Sequence, residues 1–237
     1  MDINISDLHA AYEKDILILQ GIDLQAKEGQ ITIVIGPNGS GKSTILKCIV
    51  GFLHPQKGTI TIDDHDITGI DPSNILKSGI SYVAQGRSVF PYMSVKENLE
   101  LGCWVFRKDK KRIKERINIV IERFPSLKEK FNEPAGSLSG GQQRILDIAK
   151  ALLADPSIIL VDEPSVGLSP IFAQDIYDEL NKLRDEGRSI LLIDQDVVSA
   201  MEYADSVYVL ELGRVKTQGT RKDFEGQLGD MVREWLV

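Results

Sequence analysis

The chain has few of the residues on which several protein classes depend. Its 237 residues include two cysteines and three histidines. Cys48 and Cys103 cannot supply a disulfide framework or a metal cage, which favours a reducing compartment such as the cytosol. His9, His54 and His65 do not have the spacing of metal ligands. The sequence therefore disfavours a small secreted scaffold and a metal site built from histidine.

Long hydrophobic runs and an excess of positive charge are missing as well. The longest apolar stretches, such as residues 158–161 and 190–193, have the length of a strand and fall far short of the roughly 20 residues that span a bilayer. The segment that begins at Met1 has neither the basic nor the apolar region of a secretory signal. The 28 basic and 35 acidic residues give a net charge of −7, which argues against a protein that coats nucleic acid.

One basic cluster, at residues 107–116, runs against this balance. A basic helix of this kind can bind nucleic acid or anionic lipid. Ile113 and Ile117 share one stripe of that helix, however, and such a stripe is typical of a helix that packs on a core and exposes its charges to water. The net negative charge favours the second interpretation, and we expect no nucleic-acid partner.

The sequence does contain short apolar runs that alternate with helical segments. Near-continuous apolar runs are typical of parallel strands buried on both faces, and their alternation with helices is typical of an α/β fold. We expect a single domain over residues 1–237, with a mostly parallel sheet, helices on both of its faces, an N-terminal antiparallel β subdomain and a helical insertion at about residues 86–137. Residues 223–237 have the pattern of an amphipathic closing helix.

Residues 36–43 match the phosphate-binding loop at every fixed position, between a β-branched strand and a helix. Glycines let successive N–H groups point at phosphate oxygens, and the dipole of the following helix adds to the attraction. We expect Lys42 to reach the β- and γ-phosphates and the Ser43 hydroxyl to ligate Mg²⁺. An accidental glycine-rich turn is the alternative. The residues expected to bind ATP here are Gly36, Pro37, Asn38, Gly39, Ser40, Gly41, Lys42, Ser43 and Thr44.

A pair of carboxylates follows the apolar run 158–161. Ligands gather at the carboxyl ends of strands in parallel α/β sheets, which is where Asp162 and Glu163 lie. We expect Asp162 to hold the Mg²⁺ shell, and Glu163 to orient or deprotonate the water that attacks a phosphate. A strand that simply ends in an acidic turn is the alternative. Together with the phosphate loop, the pair predicts binding and hydrolysis of a nucleotide.

Residues 138–143 read Leu-Ser-Gly-Gly-Gln-Gln and form a second candidate anion cradle at a helix N-terminus. One small nucleotide does not need two cradles in one chain. Two chains that face each other head to tail would use both, each cradle closing over the γ-phosphate of the partner. Taken alone, the segment is equally well explained as a serine-capped helix start.

The order of these segments resembles that of the ATP-binding-cassette ATPases over nearly the whole chain. The resemblance implies ATP and Mg²⁺ as cofactors, Tyr12 as a platform for adenine, and Gln85 as a residue that touches Mg²⁺ or the attacking water. By itself Tyr12 fits a core position equally well. The family resemblance also implies a second ATPase subunit, integral membrane permease subunits, and a place on the cytoplasmic face of the cell membrane. The residues that it implies act in trans are Ser139, Gly140, Gly141 and Gln142.

Two positions depart from the pattern of this family. Gln195 stands where such ATPases usually have a histidine; an amide can donate a hydrogen bond to a γ-phosphate but cannot carry a proton or a positive charge. Ser169 ends a loop that usually ends in aspartate. Both departures bear on the rate of turnover and on how two sites in a dimer communicate.

Residues 85–91 and 163–170 resemble the branched-chain amino-acid importers, and within them the smaller of two paired ATPase subunits. Members of that group often have glutamate where this chain has Gln85. The resemblance implies an importer for branched-chain or other hydrophobic amino acids. Urea, short amides or a lipid are alternative cargoes. A cassette ATPase that acts on ribosomes or DNA is a further alternative, although such proteins usually carry two cassettes or a long coiled-coil insertion.

Overall fold

The computed structural model describes residues 1–13, 16–86 and 88–226. In these ranges no helix is long and apolar enough to span a bilayer. The strands are β1 (Ile3–Glu13), β2 (Ile16–Ala26), β3 (Ile31–Ile35), β4 (Lys57–Ile62), β5 (His65–Asp66), β6 (Ile80–Val83), β7 (Ile158–Asp162), β8 (Ser189–Ile193), β9 (Ser206–Glu211) and β10 (Arg214–Thr220). The helices are α1 (Lys42–Ile49), α2 (Val95–Gly102), α3 (Lys110–Arg123), α4 (Pro125–Lys128), α5 (Gly140–Leu152), α6 (Pro170–Asp185) and α7 (Val197–Tyr203).

A six-stranded sheet in the order β10-β9-β3-β8-β7-β6 forms the centre of the fold. The strands from β9 to β6 are parallel, and β10 is an antiparallel neighbour of β9 at the edge. Parallel strands end at the same edge of a sheet, so the segments after them lie close together. The phosphate loop follows β3, Glu163 follows β7 and Gln195 follows β8. The predicted α/β class with a mostly parallel sheet is confirmed.

The central strands are buried on both faces because their residues alternate between two hydrophobic clusters. Ile33 of β3 and Ile159 of β7 pack with α5, α6 and α7 on one face of the sheet. Val34 and Leu160 pack on the other face with α1 and with a separate antiparallel sheet, β2-β1-β4-β5. The N-terminal antiparallel subdomain is therefore confirmed, and it shares the covering of the second face with α1.

Residues 88–137 contain α2, α3 and α4 and no named strand. A capping box opens α2, because Ser94 Oγ accepts from the Glu97 amide at 3.2 Å and Glu97 Oε2 accepts from the Ser94 amide at 2.7 Å. Ile117 of α3 is buried against the main core. Arg116 turns toward the C-terminal end of α5, where its guanidinium donates to the carbonyls of residues 152 and 153.

Helix α7 has little signal in the sequence. It is short, and only Asp196 marks its start, where the carboxylate accepts a hydrogen bond from the Ser199 amide at 3.2 Å. Ser169 precedes α6, and Pro170 occupies the first helical position, but the Ser169 side chain makes no capping bond.

The expected closing helix over 223–237 falls mostly outside the described residues. Residues 221–224 form a 3₁₀ turn in which Phe224 is buried. Residues 227–237 are not described, so the predicted helix stays a prediction.

Gly213, in the turn between β9 and β10, joins three parts of the fold. Its amide donates to the carbonyl of Ser40 in the phosphate loop at 3.0 Å, and its carbonyl accepts from the Gln20 amide in β2 at 2.8 Å. Its φ is +76°, and a Cβ at this position would lie 2.0 Å from the carbonyl oxygen of Ile18. The close approach therefore requires glycine.

We expect Gly213→Ala to lower the free energy of unfolding by about 3 kcal/mol, because it adds left-handed strain to a backbone clash. Gly187→Ala is the matched control: its φ is +89°, but no atom lies within 4 Å of the added Cβ, and strain alone should cost about 1 kcal/mol. Urea unfolding of both variants measures the difference. Equal losses would contradict a steric role for Gly213.

Candidate nucleotide site

The phosphate loop is held against the sheet at two glycines with positive φ. Gly36 has φ +148°, and a Cβ there would lie 2.1 Å from the carbonyl oxygen of Leu210. Gly41 has φ +104° and serves as the residue before α1, where a Cβ would lie 2.7 Å from the Leu19 side chain. The loop can pass this close to β2 and β9 only because both positions lack side chains.

The N-terminus of α1 has polar groups without partners. The first N–H groups of a helix have no intrahelical acceptor, and no side chain caps α1. The Ser40 side chain is buried, and its Oγ has no hydrogen-bond partner. Buried polar groups without partners are costly, and an anion at this end of the helix would accept from them. The loop therefore fits a phosphate group.

Lys42 is buried beneath the loop. Its Nζ donates to the carbonyl oxygens of Gly36 and Pro37, both at 2.9 Å. Burial lowers the pKa of Lys42, and the negative charges of Glu163 and Asp162 act in the opposite direction. Two of the three ammonium donors point at the loop itself, which leaves one for a ligand in the cradle.

Asp162 ends β7 beside the first turn of α1. Its Oδ1 accepts from Ser43 Oγ at 3.0 Å, and its Oδ2 accepts from Tyr82 Oη at 3.1 Å. Burial is the main cause that raises the pKa of Asp162. A hydroxyl and a carboxylate are oxygen ligands of the kind that Mg²⁺ prefers, and Mg²⁺ is usually bound by few protein ligands together with phosphates. This fits the observation that, in the described part of the chain, no three His, Cys, Asp or Glu side chains form a metal cage.

Glu163 is oriented by two glutamines from different segments. Its Oε2 accepts from Gln85 Nε2 at 2.5 Å and from Gln195 Nε2 at 2.8 Å. The backbone of Glu163 has φ +48°, and its amide donates to the Ile193 carbonyl at 2.7 Å. Both amide donors meet one carboxylate oxygen, so the other is left to accept a proton. The structure thus brings together the three residues that the sequence assigns to catalysis.

Tyr12 lies at the end of β1 beside α1 rather than in the core. Its ring is 56% exposed. Its hydroxyl lies 3.4 Å from Thr44 Oγ1 and accepts from Lys47 Nζ at 3.0 Å. A half-exposed ring next to the phosphate loop is suited to stacking on a flat base.

The second cradle is a reciprocal cap at the start of α5. Ser139 Oγ accepts from the Gln142 amide at 3.3 Å, and the Ser139 amide donates to Gln142 Oε1 at 3.0 Å. Gly141 packs under the ring of Phe172, where a Cβ would lie 2.5 Å from a ring carbon. Helix α5 packs on one face of the central sheet and α1 on the other, so the two cradles of one chain open helices on opposite faces.

A buried hydrogen-bond cluster that was not predicted from the sequence lies behind Gln195. The Asp194 carboxylate accepts from Ser165 Oγ at 2.5 Å, from Tyr177 Oη at 2.9 Å and from the amides of residues 195 and 196 at 2.7 and 3.1 Å. Asp194 therefore joins the loop after Glu163 to the loop that carries Gln195. The only sequence signal was a carboxylate directly after an apolar strand.

Arg144 of α5 was also missed. Its guanidinium donates to the carbonyls of Ala84 and Gly86, both at 2.8 Å, and to the carbonyl of Asp162 at 3.0 Å. The available signal in the sequence was a charged residue within a helical segment that also contains many apolar residues.

A model of the ABC transporter family matches residues 19–166, which is more than half of the chain. The chain belongs to the ABC transporter family. Two relatives match the cassette over most of their length. The probable branched-chain amino acid transport ATP-binding protein LivF of Archaeoglobus fulgidus is 40% identical over 217 residues, 91% of each chain. The high-affinity branched-chain amino acid transport ATP-binding protein BraG of Pseudomonas aeruginosa is 37% identical over 214 residues, 90% of this chain and 91% of that protein.

A solved structure agrees with this assignment. The crystal structure of a nucleotide-free ATP-binding cassette from an ABC transporter superposes with a TM-score of 0.89 at 28% sequence identity, and the match covers 100% of this chain and 99% of that one. The cassette is therefore an ATP-binding protein and an ATPase of this family.

We expect Asp194→Asn to lower the free energy of unfolding by about 2 kcal/mol, because the NH₂ group of the amide would face hydroxyl and N–H groups that already donate to this side chain. Burial raises the pKa of Asp194 above its ordinary value of 3.8. A group whose pKa is higher in the folded than in the unfolded protein adds to the free energy of unfolding. That contribution is complete below the unfolded pKa and is lost as pH rises through the folded pKa. The deficit of the variant is therefore larger at about pH 4 than at about pH 7.

Urea unfolding at both pH values measures this deficit. The exposed Asp175 on α6 provides the control, since Asp175→Asn should change stability by less than about 0.5 kcal/mol at either pH. A deficit that is larger at neutral pH would contradict the sign derived from burial.

Proposed function

We propose that the phosphate loop binds the β- and γ-phosphates of Mg-ATP. The observation that carries this proposal is the uncapped N-terminus of α1 with the buried, unpartnered Ser40 hydroxyl and Lys42 beneath it. Ser43 and Asp162 hold Mg²⁺, joined by the Gln85 side-chain oxygen, since Gln85 uses its NH₂ group on Glu163. Mg²⁺, when bound, neutralises charge that develops on the phosphates. Tyr12 stacks on the adenine.

We propose that Glu163 is the general base for hydrolysis. Gln85 and Gln195 fix one of its oxygens, and the other accepts a proton from water as the water oxygen attacks the γ-phosphorus. The bond from the γ-phosphorus to the bridging oxygen breaks, and ADP and phosphate leave. Gln195 also donates to the γ-phosphate, a role that a neutral amide can fill without carrying charge.

We propose that two chains close head to tail over two ATP molecules. The placement of the two cradles supports this, because the cradle at Ser139, Gly140, Gly141 and Gln142 opens a helix on the opposite face of the central sheet from α1. In a head-to-tail pair each cradle lies over the γ-phosphate bound by the partner. The partner is a second copy or a second ATPase subunit.

We propose that the cassette drives an importer of branched-chain or other hydrophobic amino acids from the cytoplasmic face of a membrane. The names of LivF and BraG support this cargo, and both relatives match over about nine-tenths of their length. Permease subunits supply the membrane path. Exposed Phe90, Tyr92 and Trp104 on the segment that contains α2 offer them an apolar contact.

Glu163→Gln should reduce ATP hydrolysis at least about a hundredfold and leave ATP binding intact, because it removes the base but not the phosphate contacts. We expect this variant to form a dimer with ATP and to be monomeric without it, as measured by light scattering after size exclusion. The wild type should dissociate as ATP is consumed.

Lys42→Ala is the control for the Glu163→Gln dimer. It removes the buried ammonium of the phosphate loop, so the double variant should neither bind ATP nor dimerise. Monomers of Glu163→Gln at every ATP concentration would overturn the proposed dimer, and full hydrolysis by this variant would overturn the role of Glu163.

For the cargo, we expect the wild-type chain, purified with the permease subunits encoded beside it and placed in vesicles with ATP, to drive uptake of labelled leucine. The Glu163→Gln complex is the matched control and should bind ATP without uptake. Uptake of urea instead of leucine would overturn the proposed amino-acid cargo. Copurification with ribosomes or DNA and no membrane protein would overturn the transporter role.

A further inference from the structure

Three charged side chains on α5 grip the segment that carries Gln85. Arg144, Asp147 and Lys150 lie three residues apart, so they occupy one side of the helix. We call these three residues the α5 clamp. Their side chains are 6%, 2% and 14% exposed in the order of the chain, so all three are largely withdrawn from water.

The clamp holds the Gln85 segment on both of its sides. Arg144 donates to the carbonyls that flank Gln85, those of Ala84 and Gly86, at 2.8 Å each. Asp147 Oδ1 accepts from Ser88 Oγ at 2.5 Å, and Lys150 Nζ donates to the Ser88 carbonyl at 2.6 Å. Gln85 itself is exposed and makes none of these bonds, so its side chain remains directed at Glu163.

The same clamp reaches the strand that carries the carboxylates. The third bond of Arg144, at 3.0 Å, goes to the carbonyl of Asp162. One guanidinium therefore fixes the backbone on both sides of Gln85 and at the residue before Glu163. Asp147 lies 3.9 Å from Arg144 and 4.0 Å from Lys150, which keeps the two cations in place on the helix.

Helix α5 begins at the second cradle. Ser139 is its cap, and Arg144 lies in its second turn. A helix is stiff over this length, so a displacement of the cradle moves the clamp with it. Residues 84–86 and 88–93 form no helix or strand, so we expect their backbone to move with the side chains of α5 that bind it.

We propose that Arg144, Asp147 and Lys150 are positioning residues, which set the distance between Gln85 and Glu163 and transmit to that pair any movement of the cradle at the start of α5. This rests on the proposed role of Gln85 at Glu163. Loss of the clamp leaves the phosphate loop and Lys42 intact but lets Gln85 drift from the carboxylate. Turnover then falls much more than nucleotide affinity, because Ser43 and Asp162 still hold the metal and the phosphate loop still holds the nucleotide.

Arg144→Gln tests the proposal. We expect kcat for ATP hydrolysis to fall about tenfold and KM to change less than about twofold, because the lost bonds orient Gln85 and do not touch ATP. Arg116→Gln is the matched control: Arg116 also donates to two backbone carbonyls of α5, but at the far end of the helix. The Arg116→Gln variant should have the kcat of the wild type even if it is less stable.

A double-mutant cycle with Gln85→Ala separates positioning from general damage. If the clamp acts through Gln85, then Arg144→Gln should lower kcat less than about twofold further in the Gln85→Ala background. If kcat of the double variant fell by the product of the two single-variant factors, the proposal would be overturned. Full kcat in Gln85→Ala would overturn it together with the role of Gln85, while the role of Glu163 would stand.

Amide hydrogen exchange gives a readout that does not depend on activity. The peptide that spans residues 83–89 should exchange at least about fivefold faster in Arg144→Gln than in the wild type or in Arg116→Gln. Ser88→Ala, which removes one exposed hydroxyl and should fold normally, should give a smaller increase in the same peptide. Equal exchange in all four proteins would overturn the clamp. A wild type that does not hydrolyse ATP would overturn the proposed function, and the exchange data would still decide the clamp.

Discussion

The carboxyl ends of parallel strands meet at one edge of the central sheet, and the polar groups that gather there must satisfy one another. Water reaches Asp162 and Asp194 poorly, and an isolated buried carboxylate is costly. Each is therefore surrounded by hydroxyl or amide donors from segments that are far apart in sequence. The site is ordered because this edge would be unstable otherwise.

The charge at the site has a direct consequence for ligand binding. Two carboxylates, Asp162 and Glu163, act electrostatically on the buried ammonium of Lys42, and Gln85 and Gln195 add only neutral amides. These two carboxylates would repel a triphosphate. In the proposed complex, a divalent cation held at Asp162 would offset that repulsion.

The sequence predicted the local parts of this structure well and the long-range parts poorly. The phosphate loop and the serine-capped helix start at Ser139 depend on residues a few positions apart, so their patterns are visible in one short window. The bonds of Arg144 and Asp194 join segments brought together only by strand order. A lone arginine or aspartate carries no mark of its partner, so these positions could not be assigned before the fold was known.

The family resemblance supplied what local patterns lacked. It implied that Gln85 and Gln195 belong near Glu163, although each glutamine alone is unremarkable in sequence. The structure brings all three together through the positions of β6, β7 and β8 in the sheet. The sequence alone did not decide whether Tyr12 is a core residue or a platform for adenine. Its exposure beside α1 excludes a core position.

The bond between Gly213 and the Ser40 carbonyl links the phosphate loop to a turn more than 170 positions later in the chain. During synthesis the loop leaves the ribosome long before that turn exists. A nascent chain therefore lacks one of the backbone contacts that set the loop, and β9 has not yet paired beside β3. The conformation of the phosphate loop therefore depends on contacts that can form only after β9 and the Gly213 turn have been synthesised.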